Sequence, residues 1–443
     1  PLSLGTEDIK KLLMRYAVPA IVAMTAASLY NMMDSIFIGH GVGALGIAGL
    51  AVTFPFINLA AAFGSLVGVG ASTLVSVKMG QKDLKSAEAV LGNVLLLNTV
   101  IGFLFMTVCL IFLDPILYFF GASADTLPYA RDYMKVILYG NLITHIYMGL
   151  NEVMRASGYP QRAMMATLFA VLINGVLNAL FIFVLDMGIK GAAIASVLAE
   201  ASSILFFLIY TYISVDLKKY GLNRLRSFDP ALLMRILSIS CFTMLQYFLS
   251  MATWFVFFVA VERLGQRELA IANIVRSIYV VLLIPVNSLA TTTNSLVSNA
   301  IGAGGIKHVM PLINKIARFS FFIMLGLVAV TALFPQLLLS VYTSEAALIA
   351  ESVPSVYVIC IAMLIASVAN VVFNGISGTG NTQAALLLET ITIIIYGSYI
   401  IFIGMWLKAP IEICFTIEIL YYTLLLITSY IYLKKAKWQN KKI

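Results

Sequence analysis

Apolar residues run for twenty positions or more, repeatedly, along the 443-residue chain, and the breaks between runs are short and marked by Gly, Pro or charge. A helix rising about 1.5 Å per residue crosses about 30 Å of hydrocarbon in some twenty residues, so each run is long enough to span a bilayer. Inside hydrocarbon every backbone amide must bond within its own helix or within a closed barrel. These runs are too long and continuous for alternating barrel strands, and the pattern predicts helices. About twelve spans are expected, at roughly 9–39, 44–76, 86–113, 124–153, 161–185, 190–213, 232–262, 268–300, 309–334, 347–375, 381–406 and 410–433.

Composition sharpens this picture. The chain is 61% hydrophobic and only 11% charged, with a mean hydropathy of +0.99. Soluble domains carry about 25% charged residues and could not hide that much apolar surface. The net charge of +8 does not point to nucleic acid, because Lys and Arg cluster beside apolar spans rather than along one face. Lys10, Lys11 and Arg15, then Lys78, Lys82 and Lys85, then Arg155 and Arg162, then Lys218 to Arg226, then Lys307, Lys315 and Arg318, and finally Lys434 to Lys442 all fall on one side of a twelve-span topology. The positive-inside rule makes that side the cytoplasm, with both termini in it. Arg263 and Arg267 are expected on the outside, beside Glu262 and Glu268. The expected location is an inner, cytoplasmic membrane.

The longest polar connection, about 216–230, separates an N-lobe, 1–215, from a C-lobe, 231–443. The halves resemble each other at an offset of about 222 positions. Thr73 to Ser76 followed by Gly80 recurs as Ser295 to Ser298 followed by Gly302, and Ser157, Gly158 and Gln161 recur as Thr379, Gly380 and Gln383. Leu12 to Arg15 recurs as Leu232 to Arg235 at a slightly different offset. Duplication of six spans keeps both halves in one orientation, so their pseudo-twofold axis is expected along the membrane normal.

The rare polar residues inside spans carry the candidate chemistry. Asp34 lies in the first span, where an ionised carboxylate costs about 2.5–3.5 kcal/mol on insertion scales. A position in the wetted outer interface would relieve that cost; otherwise the acid is a coupling group that gains and loses a proton. Asn174 and Asn178, spaced i, i+4, share one face of the fifth span. They serve either as interhelical glue, worth about 0.6 kcal/mol per bond, or, with Asp34 and Ser196, as oxygen ligands or donors around the acid. Pro19 lies about 22 Å along the helix from Asp34 and is a candidate hinge or a static kink. Arg276 and Glu418 are the intramembrane charges ranked highest as substrate-cavity residues, with snorkelling or a structural ion pair the alternative, and Tyr30, Asn31 and Asn370 join them as candidates. His145 is a relay candidate but reads more simply as packing. The four cysteines lack any CxxC spacing, and the three histidines are far apart, so no cofactor, disulfide framework or metal cluster is expected. HExxH, GxSxG and P-loop motifs are absent, and the chain does not read as an enzyme or an ATP-driven pump.

At this point the sequence resembles the multidrug and toxic compound extrusion (MATE) family, in its DinF-like branch. The resemblance rests on Leu29 to His40 with Asp34 ahead of Ile38 and Gly39, on Pro55, on Gly68, Gly70 and Gly80, on Arg155 to Gly158, and on Gly191 to Ser196. It covers essentially the whole chain. What it implies is an all-α membrane protein of two six-helix lobes forming a V, with alternating access driven by protons or sodium and export of drugs or amphipathic metabolites. The resemblance also implies a site of Asp34, Asn174 and Ser196, with Asn178 where the family has a second acid, and bending of the first helix at Pro19. The C-lobe acids of the NorM-like branch are replaced by Gln246, Thr253, Asn370 and Asn374. The expected partners are small organic molecules and the lipid bilayer, with the protein a monomer. A flippase for lipid-linked precursors shares the architecture, but its cavity needs several cations for a pyrophosphate and only Arg276 is a convincing intramembrane arginine.

Overall fold

The computed structural model describes residues 9–42, 44–82, 84–119, 122, 124–156, 159–213, 230–262, 264, 266–340 and 346–435. Among these the chain is helical throughout: α1 (Ile9–Gly41), α2 (Ala44–Gly80), α3 (Leu84–Ile111), α4 (Leu113–Phe119), α5 (Leu127–Tyr139), α6 (Asn141–Ala156), α7 (Pro160–Ala179), α8 (Ile189–Ile213), α9 (Pro230–Glu262), α10 (Gln266–Gly302), α11 (Val309–Leu333), α12 (Pro335–Ser340), α13 (Ala346–Gly378), α14 (Thr382–Ile400), α15 (Ile411–Cys414) and α16 (Thr416–Lys435). Eight helical runs among the described residues are long and apolar enough to cross a membrane, and Leu96–Ile111, bent by 80° into Leu113–Phe119, makes a ninth. With α1, α2 and the α5–α6 run, these account for the expected set of about twelve.

Two expected spans are not single helices: the run over 410–433 is interrupted at Phe415, between α15 and α16. The run predicted over 124–153 breaks at Gly140, which takes φ −89° and ψ 5° and ends α5 before Asn141 opens α6. A Cβ on Gly140 would fall 2.5 Å from Val197 Cγ2 on α8, so the break sits where two helices touch too closely for any side chain. Hydrophobicity says nothing about such a contact, which is why the run looked continuous.

The chain divides into two compact units, one of Val18–Cys241 and one of Phe242–Ile443 together with the start of α1 up to Ala17. In the first, Ile38, Leu50, Phe56, Tyr133, Met134, Leu138, Ile182 and Ala192 belong to a buried core beneath the site described below. Many large apolar side chains point outward instead, among them Phe103, Phe119, Leu172, Phe322 and Trp406. Such a surface suits hydrocarbon rather than water.

The duplication is written in the backbone. α4 and α12 are short helices after the third long helix of each half, starting at Leu113 and Pro335. π-helical turns end α7 at Leu180–Val184 and α14 at Ile401–Trp406. Left-handed conformations occur at Lys82 (φ 60°) and Gly304 (φ 82°), and at Asp186 (φ 55°) and Lys408 (φ 47°). Each pair lies at or within one residue of the 222-position offset. Non-glycine residues rarely adopt positive φ, so coincidence at matched positions is strong support for repeated structure.

Candidate functional site

Three helices of the first unit bring the expected polar residues together. Asp34, seven residues before the end of α1, is 3% exposed, and Asn174, Asn178 and Ser196 are between 0% and 4% exposed. Asn178 Nδ2 donates to Asp34 Oδ1 at 2.5 Å and to Asn174 Oδ1 at 2.8 Å. Asn174 Nδ2 donates to Ser196 Oγ at 3.2 Å, and Ser196 Oγ donates to Ala192 O at 3.2 Å. The i, i+4 spacing on α7 is what lets one amide hand the network to the next. The four candidates therefore form one continuous chain from α1 through α7 to α8.

The surroundings position it. Gly41 closes α1 against the π-helical turn after α7, where an added Cβ would lie 2.1 Å from Ile182 Cγ2. The rings of Phe37 and Phe183 meet at a tilt of 57°, centroids 5.7 Å apart, beside that contact. π-turns often mark functional sites, and this one begins two residues after Asn178. Tyr133 of α5, 3% exposed, also lies beside Asp34 and Ser196, a neighbour that no local pattern marked.

Among the described residues no Lys or Arg forms an ion pair with Asp34. Its charge is met by one amide only, and Asn178 Oδ1 is buried with no hydrogen-bond partner. A carboxylate in this position has two chemical routes to neutrality: a proton, or a small cation held by the oxygens of Asp34, Asn174, Asn178 and Ser196. No group of three or more His, Cys, Asp or Glu side chains with metal-site geometry occurs among the described residues.

The remaining candidates are scattered. Pro19 is buried within α1, which continues helical through it. The side chains of Tyr30, Asn31 and Arg267, and all of Arg263, lie outside the described residues. Asn370 is half-buried on α13, and its carbonyl accepts from Asn374 Nδ2 at 2.9 Å. Arg276 is exposed, with its guanidinium 5.3 Å from the centre of the Trp254 ring, a cation–π arrangement. His145 is fully buried near Phe105, with neither ring nitrogen hydrogen-bonded among the described residues.

Glu418 proves to be the centre of a second buried network, in the other unit. It is 3% exposed on α16, accepts from Tyr279 Oη of α10 at 3.2 Å and from Tyr396 Oη of α14 at 3.1 Å, and Tyr279 also bonds Tyr422. Nearby, Glu389 of α14 accepts from Ser250 Oγ of α9 at 3.1 Å and from Tyr421 of α16. These tyrosines were not singled out in the sequence, because a tyrosine in a membrane span is commonplace and its partners lie up to 143 positions away.

Comparison with known proteins agrees with this architecture. A model of the MatE family matches residues 19–180 and 240–407. The multidrug export protein MepA of Staphylococcus haemolyticus is 30% identical over 203 residues, 46% of this chain and 45% of that protein. MepA of Staphylococcus aureus is 28% identical over 200 residues, covering 45% of this chain and 44% of that protein. The match thus spans less than half the length of either relative. A multidrug resistance MATE family transporter of the MOP superfamily, solved in an outward-facing conformation, superposes with a TM-score of 0.90 at 22% identity, covering 98% of this chain and 97% of that one. A MOP superfamily transporter from Pyrococcus furiosus, whose binding pocket is described as reversed in polarity with a different function suggested, gives 0.90 at 22% identity over 98% of this chain and 99% of that one. At that identity the likeness is one of fold.

Proposed function

This chain belongs to the MatE family, and on that premise we propose that it is a cation-coupled antiporter exporting small drug-like or amphipathic solutes by alternating access, with Asp34 as the coupling group. The observation that carries the reading is the buried Asp34 carboxylate, bonded by Asn178 and, among the described residues, paired with no basic side chain. An acid kept at this cost in a membrane helix is a functional group by default. Taking up a proton on one side and releasing it on the other moves one charge, worth about 2.3 kcal/mol per 100 mV. That sustains roughly a fifty-fold solute gradient at one-to-one coupling.

The proton is favoured over sodium. Asn178 donates its amide N–H to Asp34, an arrangement that holds the ionised carboxylate between release of one proton and uptake of the next. The clustering of Lys and Arg supports a cytoplasmic-membrane protein with both termini inside. Ethidium accumulation in cells expressing the wild type or Asp34→Asn tests the reading. The wild type lowers accumulation and the variant does not; equal accumulation at equal membrane expression overturns it.

A further inference from the structure

Two members of the Glu418 network occupy, in the second repeat, positions that two members of the Asp34 network occupy in the first, although Asp34 and Asn178 themselves fall on Val256 and Ile400. The 222-position offset that pairs the backbone features carries Asn174 to Tyr396, Ser196 to Glu418 and Glu200 to Tyr422. In the first unit Asn174 of α7 donates to Ser196 of α8. In the second, Tyr396 of α14 donates to Glu418 of α16. The same pair of helices therefore presents a donor and an acceptor at the same register in both repeats. The difference is that the carboxylate sits on the first helix in one half and on the last in the other.

We propose that Glu418 is a second proton-carrying carboxylate, acting in addition to Asp34 in the transport cycle. This rests on the reading of the chain as a cation-coupled transporter. Glu418 is 3% exposed, and among the described residues no Lys or Arg forms an ion pair with it. Its hydrogen-bond partners are phenols. Two O–H groups, from Tyr279 and Tyr396, can hold the anion once the proton has left for water, and Tyr422 continues the chain of hydroxyls through Tyr279. When the proton returns to one carboxyl oxygen, the phenol on that oxygen turns to accept its single O–H while the other phenol goes on donating to the carbonyl oxygen; each hydroxyl is both donor and acceptor, so neither state strands a buried polar group.

The other titratable and charged groups around it leave this arrangement intact. Glu389 on α14 is engaged by Ser250 and Tyr421. Arg276, one turn before Tyr279 on α10, lies over Trp254, whose ring meets Tyr279 edge-on at 4.9 Å. α13 and α15, which also pack against α16, carry Glu351 and Glu412 as their acids and Tyr357, Cys360 and Cys414 as their other titratable groups.

Infrared difference spectra of the purified full chain in liposomes, titrated with pH, separate the two acids. The Asp34→Asn variant retains titrating carboxylic-acid C=O intensity, to which Glu200 and Glu389 also contribute; adding Glu418→Gln removes one carboxyl's share of it, Glu418→Asp keeps that share, and Tyr396→Phe moves its midpoint. In ethidium-loaded proteoliposomes Glu418→Gln halves the number of protons moved per ethidium. Titrating C=O intensity in Asp34→Asn that Glu418→Gln leaves undiminished, or a proton-to-ethidium ratio unchanged in a Glu418→Gln protein that still transports, overturns the proposal, as does displacement of the Glu418 share of the band by sodium at constant pH. If Asp34→Asn transports like the wild type while the Glu418 band behaves as stated, the Asp34 reading fails and this one stands.

Discussion

Asp34 and Asn178 make the narrowest contact in the candidate coupling site, and the energetics there are those of a single charge-assisted bond. A hydrogen bond to a charged group contributes about 1.5–3 kcal/mol, and an apolar replacement leaves the carboxylate without its donor. Asn178→Leu is therefore expected to lower ethidium export about tenfold or more, read as initial efflux rate, while Asn178→Gln keeps a donor and loses less. Ser196→Ala removes a bond at the far end of the chain, worth about 0.6 kcal/mol in membrane proteins, and should change export less than threefold. Equal losses in Asn178→Leu and Ser196→Ala would show that the network acts as packing and not through the charge. The first-unit site was legible in the sequence because its signal is local: one acid in an apolar run and two amides a turn apart. Tyr133 was invisible there, since it reaches Asp34 only through the packing of α5 on the core.

Helices carry the next level of argument. Continuous hydrophobicity marked where spans lie but not where backbones approach, and Gly140 shows the difference. Adding a Cβ there forces Val197 aside, an overpacking that costs about 1–3 kcal/mol. Gly140→Ala should lower the thermal unfolding midpoint in detergent, and the double variant Gly140→Ala with Val197→Ala should recover most of the loss. Failure of the second change to rescue the first would mean that Gly140 is needed for its backbone conformation instead. The π-turns after α7 and α14 were equally hidden, because their sequences, Leu180–Val184 and Ile401–Trp406, are as apolar as any helical stretch here. What the sequence did show at this scale was the repeat, since small and polar residues such as Thr73 to Ser76 recur at matched places.

For the whole molecule, the duplication sets both topology and chemistry. An even number of spans with Lys and Arg concentrated at alternate turns predicts that Lys82→Cys and Lys307→Cys react with a membrane-impermeant maleimide only from the cytoplasmic face, and Ser340→Cys only from outside. Labelling of all three from one face would contradict the orientation. The two repeats each bury hydrogen-bonded carboxylates, Asp34 in the first and Glu389 and Glu418 in the second, so both halves carry groups able to hold charge. The Glu418 half was only partly legible: its acid stood out, but the phenols that satisfy it come from α10, α14 and α16 and meet only in the folded unit. The central claim is that the gain and loss of a proton at Asp34 drives solute movement. Its most direct test is ethidium flux in sodium-free proteoliposomes of the purified chain under an imposed pH gradient. The account predicts ethidium moving against its own gradient with the wild type and none with Asp34→Asn; pumping by Asp34→Asn at the wild-type rate would contradict it.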